Sequence, residues 1–164
     1  VIGVDASRNI YVLDWWYGQV SSDVWIDKMA DMIKVQDEAR GGVSCWFGES
    51  GVIRRAVEPF MVRRLMDRGA MCRIEWLPSI MGKGPRANAI QGLMSMGKVF
   101  WPRHASWKAH VQDQMLRFSG EDSNKHDDAV DVMGMFGRGL KFVNSAKKPV
   151  KKRFLEYAGS WMAG

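Results

Sequence analysis

An α/β domain with a mixed sheet is the fold class this sequence predicts, and three observations carry it. β-Branched and aromatic runs of strand length recur at 1–4, 10–16, 43–47, 71–77 and 98–101. Segments of helical length separate most of them, with apolar residues three and four apart, as in Trp25, Met29, Met32 and Ile33. Only the first two runs are joined by a tight, turn-forming bridge. Strands that alternate with helices after an opening hairpin describe a sheet of mixed direction.

The elements follow in order. Val1–Val4 and Ile10–Trp16 flank Asp5-Ala6-Ser7-Arg8-Asn9, whose turn formers make the pair a β-hairpin. Ser21-Ser22-Asp23 supplies an N-cap for a helix that ends near Gly41-Gly42. Val43–Phe47 reads as a short buried strand. A helix from about Val52 to Arg68 follows, with Pro59 kinking it. Met71–Leu77 is a strand closed by Pro78. Pro85 suits the first turn of a helix that runs to Met96. Lys98–Trp101 is a brief strand, Ser106–Phe118 a helix and Ser119–Lys125 a polar loop. A last helix, acidic at its start, extends to about Phe142. No internal repeat is visible. The chain divides into a domain over 1–143 and a basic tail over 144–164.

At 164 residues, 46% hydrophobic and 26% charged, the chain is long and apolar enough for one globular core. No apolar run reaches membrane-spanning length and no signal-peptide pattern opens the chain, so a cytoplasmic protein without a membrane partner is expected. Cys45 and Cys72 lie in apolar runs and read as reduced core residues. Neither has a Cys or His at ligand spacing, which disfavours zinc. A net charge of +6 and a pI near 9.5 suit a polyanionic partner. Much of the excess lies in Lys147-Lys148-Pro149-Val150-Lys151-Lys152-Arg153, a run that is solvated or touches phosphates. The chain begins at Val1 without a methionine, which suggests a fragment, a processed start or an alternative start codon.

The chemically richest segment is Lys125-His126-Asp127-Asp128-Ala129-Val130-Asp131. Helical geometry puts Asp128 and Asp131 on one face and makes Asp127 and Asp131 neighbours. Such a group repels itself unless a divalent cation neutralises it. Against this stands a plainer reading, an acidic helix start that the macrodipole favours without any metal. Glu49, in Trp46-Phe47-Gly48-Glu49-Ser50-Gly51, follows a strand and precedes a helix, where α/β sheets bind ligands. A solvated turn glutamate is the equal alternative. Lys83 and Arg86 open a helix in a glycine-rich basic segment suited to phosphates. No Walker A loop, nucleophile elbow or dinucleotide fingerprint is present. Trp15, Trp16, Trp46, Trp101 and Trp107 stand at strand and helix spacings, as core residues do.

In order, these segments resemble the nuclease domain of phage large terminase subunits, which has an RNase H-like fold: a mixed sheet flanked by helices. The matching pieces are Asn9-Ile10-Tyr11-Val12-Leu13-Asp14-Trp15-Trp16-Tyr17-Gly18-Gln19, Trp46–Gly51 leading to Pro59-Phe60, Lys83-x-x-Arg86-Ala87, Val99-Phe100-Trp101-Pro102 and His126-Asp127-Asp128-x-x-Asp131. The resemblance implies a metal-dependent endonuclease that cuts concatemeric double-stranded DNA during packaging in a bacterial host. Two Mg²⁺ or Mn²⁺ ions would clamp the attacking and leaving oxygens. Glu49, Asp128 and Asp131 would hold metal, with Asp127 as a third choice on the helix, and Lys83 and Arg86 would lie near DNA phosphates. A small terminase subunit and a portal protein would be partners.

One departure leaves two registers open. The family carries its first catalytic aspartate on a leading strand well upstream of the Tyr-Val-Leu-Asp-Trp-Trp run, whereas Asp5 precedes Asp14 by only a tight turn. In the register this favours, Asp5 is a hairpin residue, and the leading strand with its aspartate lies before Val1. The site is then incomplete and a sheet edge is exposed. In the other, Asp5 itself is the ligand on a first strand. The family's ATPase motor has no counterpart in this chain. A resolvase or transposase with similar acidic geometry is a close variant. A DNA- or protein-binding remnant without catalysis is the rival of a different class.

Overall fold

The opening hairpin forms as its turn residues dictate. In the computed structural model, which describes residues 1–79, 83–120 and 127–143, β1 (Ile2–Val4) pairs antiparallel with β2 (Ile10–Val12), Gly3 opposite Tyr11. Asp5 locks the turn. Its Oδ1 accepts the backbone N–H groups of Ser7 (2.9 Å) and Asn9 (2.8 Å), and its Oδ2 accepts Asn9 Nδ2 (2.9 Å) and Tyr11 Oη (3.1 Å). Arg8 takes the left-handed conformation (φ 63°) that the turn requires. The second strand ends sooner than its apolar run suggests. After Val12, the N–H groups of Leu13 and Asp14 both converge on the Val1 carbonyl, and Trp15 packs into the core beside Trp107. On its other edge β2 pairs parallel with β5 (Val99–Phe100), and Tyr11 stacks on Phe100 at 5.1 Å.

Helix α1 (Ser22–Arg40) begins after Ser21, which takes the extended N-cap backbone without a side-chain capping bond, and ends at Gly41 (φ 76°) as its sequence indicates. Helix α2 (Val52–Asp67) carries Pro59 inside it. The two helices share a core of Ile26, Met29, Ala30, Ile33, Met61 and Leu65. At its rim the Arg64 guanidinium grips Asp27 through two bonds of 2.8 and 2.9 Å, and Arg68 approaches the same carboxylate at 3.0 Å. Under these helices β3 (Trp46–Ser50) runs parallel to β4 (Ile74–Pro78). Both strands start three residues later than expected, and β3 is half-buried rather than fully buried. Cys45 and Cys72 are free thiols. Burial pushes the Cys72 thiol up to about 11, helped by neighbouring Cys45 and Asp37, which keeps it protonated as a core residue.

The remaining helices are α3 (Lys83–Ser95), α4 (Lys108–Leu116) and α5 (Asp128–Gly139), the last continued by a 3-10 turn over Leu140–Phe142. They cover the hairpin side, where Val4, Ile10, Val12, Ile90, Met133 and Phe136 form a second core. Helices α3 and α5 cross so closely that a Cβ on Gly137 would lie 2.7 Å from the Ala89 carbonyl carbon and oxygen. The class is mixed α/β, as read. The single mixed sheet is not: among the described residues the strands form two sheets, ordered β1-β2-β5 and β3-β4. Among the described residues no helix is long and apolar enough to cross a membrane. The basic tail over 144–164 lies outside them.

Candidate functional site

Helix α5 starts where its carboxylates are densest. Asp127 occupies the N-cap position and its carbonyl accepts the Asp131 N–H at 3.0 Å, while Asp128 and Asp131 lie in the first turn. The N-terminal end of a helix dipole stabilises all three charges. The helix phase then separates them. Asp128 is exposed, whereas Asp127 and Asp131 are half-buried, with Asp127 Oδ2 and Asp131 Oδ1 sealed from solvent. The Asp127 side chain makes no capping bond to the helix. Instead Gln114 of α4 accepts the Ala129 N–H at 3.0 Å, so a neighbouring helix does part of the capping. Nothing in the local sequence announces that bond, because it joins residues fifteen positions apart. His126 lies outside the described residues.

Glu49 is the fourth residue of β3, exposed near the strand's carboxyl end and paired in register with Leu77. It therefore sits within a strand rather than in the turn expected after one. The glycine before it has a different use from ligand approach. Gly48 lies opposite Trp76, and a Cβ there would be 2.5 Å from the indole ring. The indole is held in place by its Nε1–H, which donates to Glu58 at 2.7 Å, and by the Arg54 guanidinium 5.2 Å from the ring centre. Gly48 thus makes room for a tryptophan of the neighbouring strand.

Helix α5 meets the β3-β4 sheet through its C-terminal half. Phe136 packs edge-on against Phe47 at 6.4 Å, and Arg138 donates to the Pro78 carbonyl (2.8 Å), the residue level with Ser50. The acidic turn is five to eleven residues back from there, roughly 8–16 Å along the axis. Among the described residues no group of three or more His, Cys, Asp or Glu is close enough to hold a metal ion. Asp127 and Asp131 thus lie one helical turn apart at the start of α5, with Glu49 on a different element.

Asp5 serves its turn. Four accepted bonds use the whole lone-pair capacity of a carboxylate, and they hold its pKa below the usual range, the Asn9 backbone N–H most of all. Asp5 is thus committed to the β1-β2 turn. Lys83 and Arg86 lie in the opening turns of α3, the position read for them from the sequence. Trp15, Trp46, Trp101 and Trp107 pack against the two cores, while Trp16 is exposed. His110 stacks on Tyr17 at 4.2 Å, an outward-facing role. Comparison with protein-family models, with characterised proteins and with solved structures returned no match.

Proposed function

We propose that this chain is a DNA-processing domain of the terminase nuclease type, whose substrate is duplex DNA and whose acidic centre lies at the start of α5. One observation carries the reading. Three carboxylates, Asp127, Asp128 and Asp131, stand at the N-cap and in the first turn of α5, with Asp127 and Asp131 half-buried. The +6 charge supports a polyanionic substrate, and Lys83 and Arg86 at the mouth of α3 are suited to its phosphates.

Two Mg²⁺ or Mn²⁺ ions need more oxygen ligands than the described residues bring together. Asp127 and Asp131 amount to one end of such a site. Glu49 would join them only through a further element between β3 and α5. A second reading follows from that shortage: a DNA-binding domain that does not cut by itself. The deciding experiment is relaxation and linearisation of supercoiled plasmid with Mn²⁺, alongside Glu49→Ala, Asp128→Ala and Asp131→Ala. Cutting that needs Mn²⁺ and is lost in Glu49→Ala and Asp131→Ala supports the nuclease. Salt-sensitive DNA binding by a folded protein without cutting supports the second reading.

A further inference from the structure

The sheet β1-β2-β5 has two unlike faces. Val4, Ile10, Val12 and Val99 turn inward and join the second core, with α3 and α5. Alternation puts the residues between them on the other face. There Tyr11 of β2 and Phe100 of β5, level in the ladder, stack at 5.1 Å with their planes 18° apart. They nevertheless remain 37% and 44% exposed. On the β1 side the row ends at Gly3, opposite Tyr11, where Leu13 Cδ1 takes up the room of a side chain. On the β5 side it is open, because β5 is the outer strand of this sheet among the described residues. Phe100 is thus the free end of a short aromatic stack.

Cations bracket that ring. Lys98 precedes Phe100 by two positions and shares its face by alternation; its carbonyl continues the ladder by accepting the Ile10 N–H at 2.8 Å. Arg103 follows by three positions and is exposed. Among the described residues neither side chain has an ion pair or hydrogen bond, whereas Arg54, Arg64, Arg68, Arg73 and Arg117 are held by carboxylates. The carboxylate on this face, Asp5, is engaged by its own turn. A cross-strand aromatic pair steadies a sheet with no cation beside it. An exposed ring between two unspent positive charges suits a base and its flanking phosphates.

We propose that Phe100, backed by Tyr11, is a stacking platform for an unpaired base of single-stranded DNA, whose phosphates Lys98 and Arg103 hold. In a duplex each base is covered by its neighbours, so only an unpaired strand offers the ring a free face. The inference rests on the DNA reading above and adds to it a strand-separated form of the substrate.

The test measures, by fluorescence anisotropy, the Kd of a labelled oligothymidylate of about twelve nucleotides and that of a longer blunt duplex. Phe100→Leu keeps an apolar side chain but no ring. It weakens single-strand binding by about tenfold while duplex binding stays within about twofold. Phe100→Trp binds the single strand at least as tightly as the unaltered chain. Lys98→Gln lowers the slope of log Kd against log salt by roughly 0.7, the share of one phosphate contact. A ring that only steadies the sheet would lower Tm in Phe100→Leu without moving the ratio of the two Kd values, and that result overturns the platform. It leaves duplex binding, and with it the DNA reading, untouched. Absence of binding to either form overturns both. Tighter binding of the matching oligouridylate overturns the choice of DNA. A doubled mass by light scattering that Phe100→Leu abolishes also overturns the proposal, since a second copy then covers the face. Should Phe100→Leu misfold by circular dichroism, photocrosslinking of an iodouracil-substituted strand to the unaltered chain decides instead. An adduct on Phe100 or Tyr11 is expected, and adducts confined to other residues overturn the proposal.

Discussion

Gly48 and Asp5 show how single side chains are committed by their neighbours. A methyl group on Gly48 would overlap the Trp76 ring, which its bond to Glu58 keeps from swinging away. Gly48→Ala is therefore expected to cost about 1–3 kcal/mol in urea unfolding, the usual range for overpacking. A change near zero would mean that the ring yields. Asp5→Ala removes four acceptor bonds from one turn, so Tm should fall, and it should fall less in Asp5→Asn, which keeps one side-chain acceptor oxygen. In the acidic turn, Asp127 and Asp131 are enclosed and Asp128 is not. Stabilisation by Mn²⁺ in a thermal shift should thus vanish in Asp131→Asn and survive largely in Asp128→Asn. Equal loss in both would show that burial does not mark the ligands.

Between elements, contacts of two kinds hold the helices. Gly137 lets α3 and α5 approach until backbone meets backbone. Gly137→Ala gains up to about 1 kcal/mol of helix propensity yet forces the helices apart, and a net loss of about 1–3 kcal/mol is expected. Between α1 and α2 the contact is ionic. Bonds from Arg64 first, then from Arg68, hold the Asp27 carboxyl down at about 2, below its usual 3.8. The folded value is the lower one, so this stabilisation is whole above about pH 4 and fades as pH falls towards 2. Asp27→Asn should flatten that part of an acid-unfolding curve, and an unchanged curve would assign the acid transition to other groups.

For the whole molecule, the informative charge is the amino group of Val1. Burial lowers its pKa from 8.0 to about 6, with nearby Asp14 opposing the shift. The unfolded chain then binds more protons than the folded one between those values, so stability rises with pH from about 6 to about 8. Two pKa units set an upper bound of about 3 kcal/mol. Acetylating that amine, or extending the chain through it, should remove the slope in a urea series across this pH window. A slope that persists after acetylation would assign it to another group.

Much was legible in the residues alone. The hairpin, the limits of α1 at Ser21 and Gly41, the helix containing Pro59, a helix opening around Pro85 and the acidic opening of α5 all follow from local chemistry: turn formers, terminal residues and apolar spacing. The alternation of these elements made the α/β class readable too, and the tight turn favoured Asp5 as a hairpin residue. Strand limits were less legible, because β3 continues through Gly48, Glu49 and Ser50, whose place in a strand depends on pairing with Trp76, Leu77 and Pro78. Which aspartate of α5 turns inward depends on the helix phase against α4, and the company Glu49 keeps depends on where α5 crosses β3. The division into two sheets is likewise a property of edges that meet or fail to meet across the chain. Short-range order is written in neighbouring residues, so the sequence alone determined the elements and the acidic segment. Contacts between residues far apart in the chain have no local signature, and only the tertiary structure decided which carboxylates of α5 are half-buried and how the described strands divide between two sheets.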